Sequence, residues 1–216
     1  MNKPNVIFFT WHDAGDWFGC YGYRQVDTPA MDRLAAEGVR FDSNYAACAI
    51  CSPSRAAMMT GRYCQQTGVM GLTNSVFDNR IHPHLTHMSR HFKGEGYRTA
   101  LFGVQHEAAH EHVSSIMDFD EQWATDPWPN ADFTAHYAEN WIDEQKDENT
   151  PFYMQVGTFD SHLMRYYSNL VPQENEPYPP VQYTDKGVWI PPYLEDNEAG
   201  RDTIATLQGL LQRGDR

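Results

Sequence analysis

Short apolar runs that alternate with helix-like segments constrain the fold of this chain most strongly. Residues 5–10 read Asn-Val-Ile-Phe-Phe-Thr, a run typical of a strand that is buried on both faces in a parallel sheet. Residues 99–102 and 152–158 repeat this pattern, and segments with helical periodicity lie between the runs. The alternation predicts an α/β fold with a mainly parallel sheet and helices on both of its faces.

Capping and stop residues predict where the helices begin and end. Thr28 followed by Pro29 predicts an N-cap and a first helical residue, and Gly38 predicts the end of that helix. Ser52 is the predicted N-cap of a second helix over residues 53–60. Further helices are predicted over residues 87–93, 131–145 and 203–216.

Histidines and acidic residues follow each of the three predicted strands. His12 and Asp13 come after the first, residues 105–107 (Gln-His-Glu) after the second, and residues 160–162 (Asp-Ser-His) after the third. Functional residues of parallel sheets gather at the carboxyl ends of the strands. We therefore expect a polar site at this edge of the sheet. The other histidine cluster, His82, His84, His87 and His91, is predicted to lie on the surface.

The charge and length of the chain exclude several classes of function. A net charge of −13 over 216 residues argues against nucleic acid or an anionic membrane as the partner, because both require clustered Lys and Arg. No apolar run has the length of a membrane span, and the first residues lack the pattern of a signal peptide, which favours a cytoplasmic protein. We predict a single domain over residues 1–216, with an irregular Pro- and Tyr-rich surface segment over residues 172–200.

Two motifs favour zinc if they are taken alone. Cys48 and Cys51 have the C-x-x-C spacing of half a zinc site, which Cys64 and a histidine would complete. Residues 106–110 read His-Glu-Ala-Ala-His, the zinc-protease pattern, whose chemistry requires both histidines on one helix face. A zinc site and a metallopeptidase therefore remain open as alternatives.

The most specific motif is Cys51-Ser52-Pro53-Ser54-Arg55. It matches the Cys-x-Pro-x-Arg signature of the formylglycine-dependent sulfatases, and residues 27–41 and 54–62 resemble the helices on either side of that signature. The chain thus resembles the N-terminal catalytic part of a sulfatase, with an alkaline-phosphatase-like fold that is incomplete at its C-terminus. Residues 66–72 are most similar to the heparan N-sulfatase (sulfamidase-like) branch.

The resemblance implies that a formylglycine-generating enzyme oxidises Cys51 to an aldehyde, whose hydrate is the nucleophile. One oxygen of this gem-diol attacks sulfur, and deprotonation of the other expels sulfate, whereas a serine would remain as a stable sulfate ester. The predicted helix N-terminus at Cys51 favours anions. Arg55 lies one turn further into the helix and can bind the diol or a sulfate oxygen.

The resemblance also implies a metal site and two histidines that assist the reaction. His12-Asp13 occupies the place of an Asp-Asp pair that binds Ca²⁺, so Asp13 is a predicted ligand, and His12 indicates either a nitrogen ligand or another divalent metal. His106 and His162 are predicted to transfer protons and bind sulfate. Val104 stands where the family usually has a lysine, which puts the usual substrate geometry in doubt.

We therefore predict a hydrolase of sulfate esters or N-sulfates, with a sulfated small molecule or saccharide as substrate. A phosphodiesterase or phosphonate hydrolase on the same fold is the alternative enzyme. A truncated, non-catalytic fragment is the alternative from another class, because no second pair of metal ligands is evident in the sequence.

Overall fold

The computed structural model describes residues 3–73, 77–123, 131–146, 149–159, 162 and 186–214. These residues belong to two compact units. The first unit comprises Met1–Thr10, Asn44–Pro129 and Phe133–Thr158, and the second comprises Trp11–Ser43, Asn130–Asp132 and Phe159–Arg216.

The described residues contain four strands and seven α-helices. The strands are β1 (Val6–Trp11), β2 (Arg98–Gly103), β3 (Glu121–Trp123) and β4 (Phe152–Thr158). The helices are α1 (Pro29–Glu37), α2 (Cys51–Thr60), α3 (Cys64–Thr67), α4 (Met88–Gly94), α5 (Val113–Ile116), α6 (Ala131–Glu144) and α7 (Glu198–Gly214). Short 3₁₀ turns lie at Gly19–Tyr21 and His110–His112.

The four strands form one sheet in the order β1-β4-β2-β3. Strand β2 pairs in parallel with β4, in a register that runs from Arg98 opposite Phe152 to Gly103 opposite Gly157. It also pairs in parallel with β3 on its other side. The α/β fold with a parallel sheet, expected from the alternation of apolar runs and helices, is therefore confirmed.

Alternate residues of the central strands pack against opposite layers, because side chains of a strand alternate between its faces. On one face, Phe102 and Met154 join a cluster with Trp141 of α6. On the other face, Leu101 and Tyr153 pack with residues of α4 and α5. Helices therefore cover both faces of the strand pair β2–β4, as predicted.

Strand β1 is wrongly predicted as buried on both faces. Val6 and Phe8 pack against the cluster that contains Tyr153, whereas Ile7 is 52% exposed and Phe9 is 49% exposed. The apolar run cannot distinguish a central strand from one at the edge of the sheet, where β1 lies.

The predicted N-cap of α2 is wrong, whereas the predicted N-cap of α1 is in place but makes no side-chain capping hydrogen bond. Helix α2 begins at Cys51 with Ile50 as its N-cap, two residues earlier than predicted, and Ser52 is a buried residue within the helix. Thr28 does precede α1, but its side chain makes no capping hydrogen bond. Its hydroxyl instead accepts a hydrogen bond from the backbone N–H of Gly19 (2.8 Å) and donates to Asp32 (3.2 Å). Hydroxyl caps compete with such tertiary partners, which a local motif does not reveal.

The second unit has its own apolar cluster, in which Phe18, Val26 and Leu211 of α7 are buried. Helix α7 begins five residues before the predicted start at residue 203. Of the predicted irregular segment 172–200, residues 172–185 lie outside the described residues, and residues 186–197 contain neither helix nor strand. The single-domain boundary remains a prediction. Within the described residues, every helix is too short or too polar to cross a bilayer.

Candidate functional site

The signature motif lies on α2, in the first unit. Cys51 is the first residue of the helix and is half-buried, whereas Ser52 and Pro53 behind it are buried. The first N–H groups of a helix have no intrahelical acceptor and carry partial positive charge, so they favour an anion at this end. A ring nitrogen of His106 lies within 4.8 Å of the Cys51 sulfur. The structure therefore brings together two of the predicted catalytic residues.

Arg55 connects α2 to the ends of three strands. Its side chain is buried, and its Nη1 donates hydrogen bonds to the hydroxyl of Thr10 in β1 (3.0 Å) and to the carbonyl of Val104 after β2 (3.5 Å). The Thr10 hydroxyl donates in turn to the carbonyl of Val156 in β4 (3.3 Å). A buried guanidinium held in this way keeps a fixed position and its full charge.

The close approach of β2 and β4 sets the path of the chain towards His106. Gly103 has a positive φ of 74°, and a Cβ atom there would lie 2.1 Å from the carbonyl oxygen of Gly157. The backbone N–H of Val104 donates to that same carbonyl at 2.9 Å. His106 itself adopts a left-handed conformation with φ 58°. Such a conformation is costly for a residue other than glycine and is frequent at functional sites.

Glu107, directly after His106, is fully buried in a polar cluster. Gln155 of β4 donates a hydrogen bond to its Oε1 at 2.6 Å. Burial raises the pKa of Glu107 from 4.5 to about 7, and the nearby positive charge of Arg55 opposes this rise. Glu107 can therefore exchange a proton near neutral pH, close to Arg55.

His87 lies near the same carboxylate oxygen of Glu107 as Gln155 does, and its burial corrects one sequence prediction. It was predicted on the surface, but it is the N-cap of α4 with 0% exposure, and its Nδ1 accepts from the N–H of Ser89 at 3.1 Å. Burial lowers the pKa of His87 to about 4. Its Nε2 lies 4.0 Å from Glu107 Oε1, but the imidazole is neutral at pH 7, so the two residues do not form an ion pair there. His82, His84 and His91 are exposed, as predicted.

Sequence reasoning gave no role to Gln155 or Thr10, and it considered Glu107 only as part of the polar strand end 105–107 and of the zinc-protease pattern. Gln155 is an amide in an otherwise apolar buried strand, and this composition is the one local signal that could have indicated a buried polar partner. The burial of Glu107 results from tertiary packing and has no local signal.

The predicted residues His12, Asp13 and His162 lie together in the second unit. Asp13 Oδ1 is 3.8 Å from His12 Nε2, and Asp13 Oδ2 is 3.8 Å from His162 Nε2. The two imidazole rings are 4.5 Å apart, and the ring of Phe159 stacks on His162 at 4.7 Å. Asp13 also has a positive φ of 53°. Two nitrogen donors and a carboxylate thus converge in the second unit. Asp160 and Ser161, from the same predicted strand end, lie outside the described residues.

The two zinc alternatives are not supported. Residues 106–109 are not helical, and His106 is left-handed, so His106 and His110 do not share a helix face as a metallopeptidase requires. Among the described residues, neither Cys48 nor Cys64 belongs to a cluster of three metal-ligand atoms. Burial raises the pKa of the Cys64 thiol, and the neighbouring Cys48 raises it further, so Cys64 is a protonated thiol near neutral pH.

Known relatives match the chain over a large part of its length. It is 35% identical over 129 residues to the uncharacterized sulfatase YidJ of Escherichia coli. This alignment covers 59% of the present chain and 25% of YidJ. It is 31% identical over 171 residues to an N-acetylglucosamine-6-O-sulfatase of Bacteroides thetaiotaomicron, covering 70% and 29% respectively. The chain therefore spans about a quarter of the length of these relatives.

Solved structures share the fold. The chain superposes on yidJ of Bacteroides fragilis, a protein named as a sulfatase, with a TM-score of 0.74 at 21% identity. The superposition covers 100% of the present chain and 57% of the yidJ chain. A phosphonate monoester hydrolase of Agrobacterium radiobacter superposes with a TM-score of 0.66 at 17% identity, over 99% and 57%. The sequence profile of the family named Sulfatase matches residues 4–205, and the chain belongs to the sulfatase family.

Proposed function

We propose that the protein hydrolyses sulfate esters through a formylglycine derived from Cys51. The observation that carries this proposal is the position of Cys51 as the first residue of α2, with a ring nitrogen of His106 within 4.8 Å of its sulfur. Arg55, buried one turn further along the same helix, supplies a fixed positive charge. A nucleophile, a proton carrier and an anion-stabilising helix end are the parts that sulfate transfer requires.

The reaction would proceed by a displacement at sulfur followed by an elimination. Maturation oxidises the Cβ of Cys51 to an aldehyde and releases the sulfur as sulfide, while dioxygen is reduced to water with two electrons from Cys51 and two from an external thiol. Water then hydrates the aldehyde. One hydroxyl of the gem-diol attacks the sulfur of the substrate, and the bond from sulfur to the leaving oxygen or nitrogen breaks. Deprotonation of the second hydroxyl then restores the C=O bond and expels sulfate, which regenerates the aldehyde. The second hydroxyl allows turnover without a separate hydrolysis of the enzyme ester.

We assign His106 to proton transfer and Arg55 to charge stabilisation. The half-buried imidazole of His106 can protonate the leaving group or accept a proton from the diol. Arg55 contributes positive charge from a position that its hydrogen bonds to Thr10 and Val104 hold. The side chain of Val104 carries no charge, so in the proposed site Arg55 supplies positive charge that Val104 does not.

The metal that the family resemblance implies is proposed at Asp13, with His12 as a second ligand. One of these two donors is an imidazole nitrogen, which is a poor ligand for the hard Ca²⁺ ion. A bound dication would supply positive charge to an anion bound at these residues.

We propose a sulfated amino sugar as the substrate. The resemblance of residues 66–72 to the heparan N-sulfatase branch and the relative named N-acetylglucosamine-6-O-sulfatase both support this class. Glucosamine N-sulfate and glucosamine 6-O-sulfate, each offered alone, would distinguish the two linkages by the sulfate released.

Mass measurement of the peptide that contains Cys51 tests the maturation step. After co-expression with a formylglycine-generating enzyme, we expect the aldehyde mass and its shift upon reaction with a hydrazide. The Cys51→Ala variant is the matched control, because it cannot form an aldehyde. A peptide that retains only the thiol would contradict the catalytic proposal and favour the non-catalytic alternative.

Parallel assays with chromogenic esters test the chemistry. The matured protein should release sulfate from an aryl sulfate, and Cys51→Ala should lower the rate by about 10³-fold or more, as is typical for the loss of a nucleophile. The fold shared with a phosphonate monoester hydrolase makes a phosphonate monoester and a phosphodiester the necessary comparisons. Faster turnover of either compound than of the sulfate would replace the sulfatase proposal with that alternative.

A further inference from the structure

The metal-ligand atoms gathered in the second unit differ from those that Ca²⁺, the metal implied by the family resemblance, requires. Ca²⁺ is bound by six to eight oxygen ligands, mostly from carboxylates and carbonyls. His12, Asp13 and His162 instead supply two imidazole nitrogens and one carboxylate. Imidazole is a preferred ligand of zinc and other first-row transition metals. These residues therefore do not fit a calcium site.

We propose that His12, Asp13 and His162 bind a transition-metal dication of the Zn²⁺ type as a site with two histidines and one carboxylate. Three protein ligands leave further coordination positions open, as in metal sites that also bind an anion or water. The proposal specifies which metal the proposed function requires, and its relevance to catalysis rests on that proposed function. Metal binding itself is measured without turnover.

The distances support one shared ion. Each carboxylate oxygen of Asp13 faces one imidazole at 3.8 Å, which is beyond hydrogen-bond range, and the three ligand atoms lie within 4.8 Å of one another. Ligand atoms on a single zinc ion, each about 2 Å from the metal, are roughly 3.3 Å apart in tetrahedral geometry. Small side-chain movements of this triad would therefore complete the site.

The surroundings hold both imidazoles in place. The side chain of His12 is 1% exposed, and Phe159 contacts both rings, stacking on His162 and meeting His12 edge-on at 5.4 Å. The left-handed backbone of Asp13 stores a conformational cost of the kind that is frequent at ligand sites. Rigid imidazoles and a constrained carboxylate are the conditions under which a metal site is preorganised.

Titration of the chelator-treated protein with Zn²⁺ and Ca²⁺ in separate calorimetric experiments tests the proposal. We expect one equivalent of Zn²⁺ to bind at least about 100-fold more tightly than Ca²⁺. His162→Ala and Asp13→Asn should each weaken Zn²⁺ binding by about 10-fold or more. His136→Ala removes an exposed histidine elsewhere in the chain and should leave Zn²⁺ binding unchanged. Circular dichroism of each variant establishes that it is folded.

The His12→Asp variant gives a second, opposite readout. It restores a carboxylate pair at residues 12 and 13, and we expect it to weaken Zn²⁺ binding and strengthen Ca²⁺ binding relative to the unmodified protein. Tighter binding of Ca²⁺ than of Zn²⁺ by the unmodified chain would overturn the inference. Zinc binding that His162→Ala leaves unchanged would overturn it as well, since the metal would then be held by other histidines or cysteines. Neither result affects the formylglycine test on Cys51, so the two proposals can fail separately.

Discussion

At the scale of single residues, Glu107 and His87 form a buried pair whose ionisations change the stability of the fold in opposite directions with pH. The pKa of Glu107 is raised to about 7, so the folded protein loses stability as pH rises from 4.5 through 7. The pKa of His87 is lowered to about 4, so the folded protein loses stability as pH falls from 6.5 through 4. The two effects offset each other between these limits, which flattens the pH dependence of stability.

Replacing Glu107 should reveal its own contribution to the pH dependence of stability. In Glu107→Gln the loss of stability at high pH disappears, because an amide cannot ionise. We expect the free energy of unfolding of the variant, relative to that of the parent, to increase by on the order of 3 kcal/mol between pH 4.5 and pH 8. Urea unfolding at a series of pH values measures this difference.

Glu111→Gln is the control for that experiment, since it makes the same substitution at an exposed glutamate in a nearby 3₁₀ turn. Parallel stability curves for Glu107→Gln and the parent protein would show that Glu107 is already ionised and solvated in the folded state.

The signature residues could be predicted from the sequence, whereas the buried pair Glu107 and His87 could not. Cys51 and Arg55 were predicted because residues 51–55 match the family signature, which is a local motif. Glu107 and His87 are polar, titratable residues, and tertiary packing buries both of them completely. A single sequence does not contain that information in local form.

At the scale of elements, the end of α2 gives a test of backbone conformation. Gly61 closes the helix with φ 63°, and a Cβ atom there would meet no other atom within 4 Å. Gly61→Ala should therefore lower the free energy of unfolding by about 1 kcal/mol through backbone strain alone. Gly94→Ala at the end of α4, where φ is not positive and space is also open, should leave stability unchanged or raise it slightly. Equal effects of the two substitutions on the free energy of unfolding would contradict the inference that the positive φ of Gly61 disfavours alanine.

The close approach of β2 and β4 at Gly157 should be more sensitive to an added methyl group than the end of α2. A Cβ atom on Gly157 would lie 2.0 Å from the carbonyl oxygen of Val104, so the strands would have to separate. We expect Gly157→Ala to cost more than Gly61→Ala in urea unfolding, and to lower amide protection at Val104, whose N–H donates to Gly157. Unchanged protection at Val104 would show that the strands can accommodate the methyl group.

Long elements were predicted from the sequence, and short ones were not. β4 was predicted with its observed bounds, and α6 to within one residue, because each has a long run of the appropriate period. Strand β3 and helices α3 and α5 have only three or four residues each, less than is needed for a periodic pattern. Their conformation depends on their neighbours, as the pairing of β3 with β2 illustrates.

At the scale of the whole molecule, the excess of acidic residues dominates the electrostatics. The chain carries 29 acidic and 16 basic residues, a net charge of −13. Its exposed ion pairs, such as those between Arg40 and Asp42 or between Lys93 and Asp118, contribute little to stability. Self-repulsion of the compact state should therefore outweigh them at neutral pH.

Added NaCl should raise the unfolding temperature at pH 7.5. Increasing the salt from about 10 mM to about 100 mM shortens the screening length from roughly 30 Å to about 10 Å, which weakens repulsion across the molecule. The rise should be smaller near pH 5, where protonation reduces the net charge. Chloride is used rather than sulfate, so that binding at the proposed site does not contribute. A lower unfolding temperature in salt at pH 7.5 would show that attractive ion pairs dominate.

The anchoring of Arg55 has a consequence for the order of events in the life of the protein. Its hydrogen bonds to Thr10 and Val104 exist only after the strands have assembled, and they fix the helix that contains Cys51. Ser52 and Pro53 are by then buried. Under the proposed function, an enzyme that reads this segment as an extended chain must act before the fold closes, and folding and maturation would compete kinetically for the same residues. A chain that folds too quickly would then be well formed and stable, and would lack the proposed nucleophile.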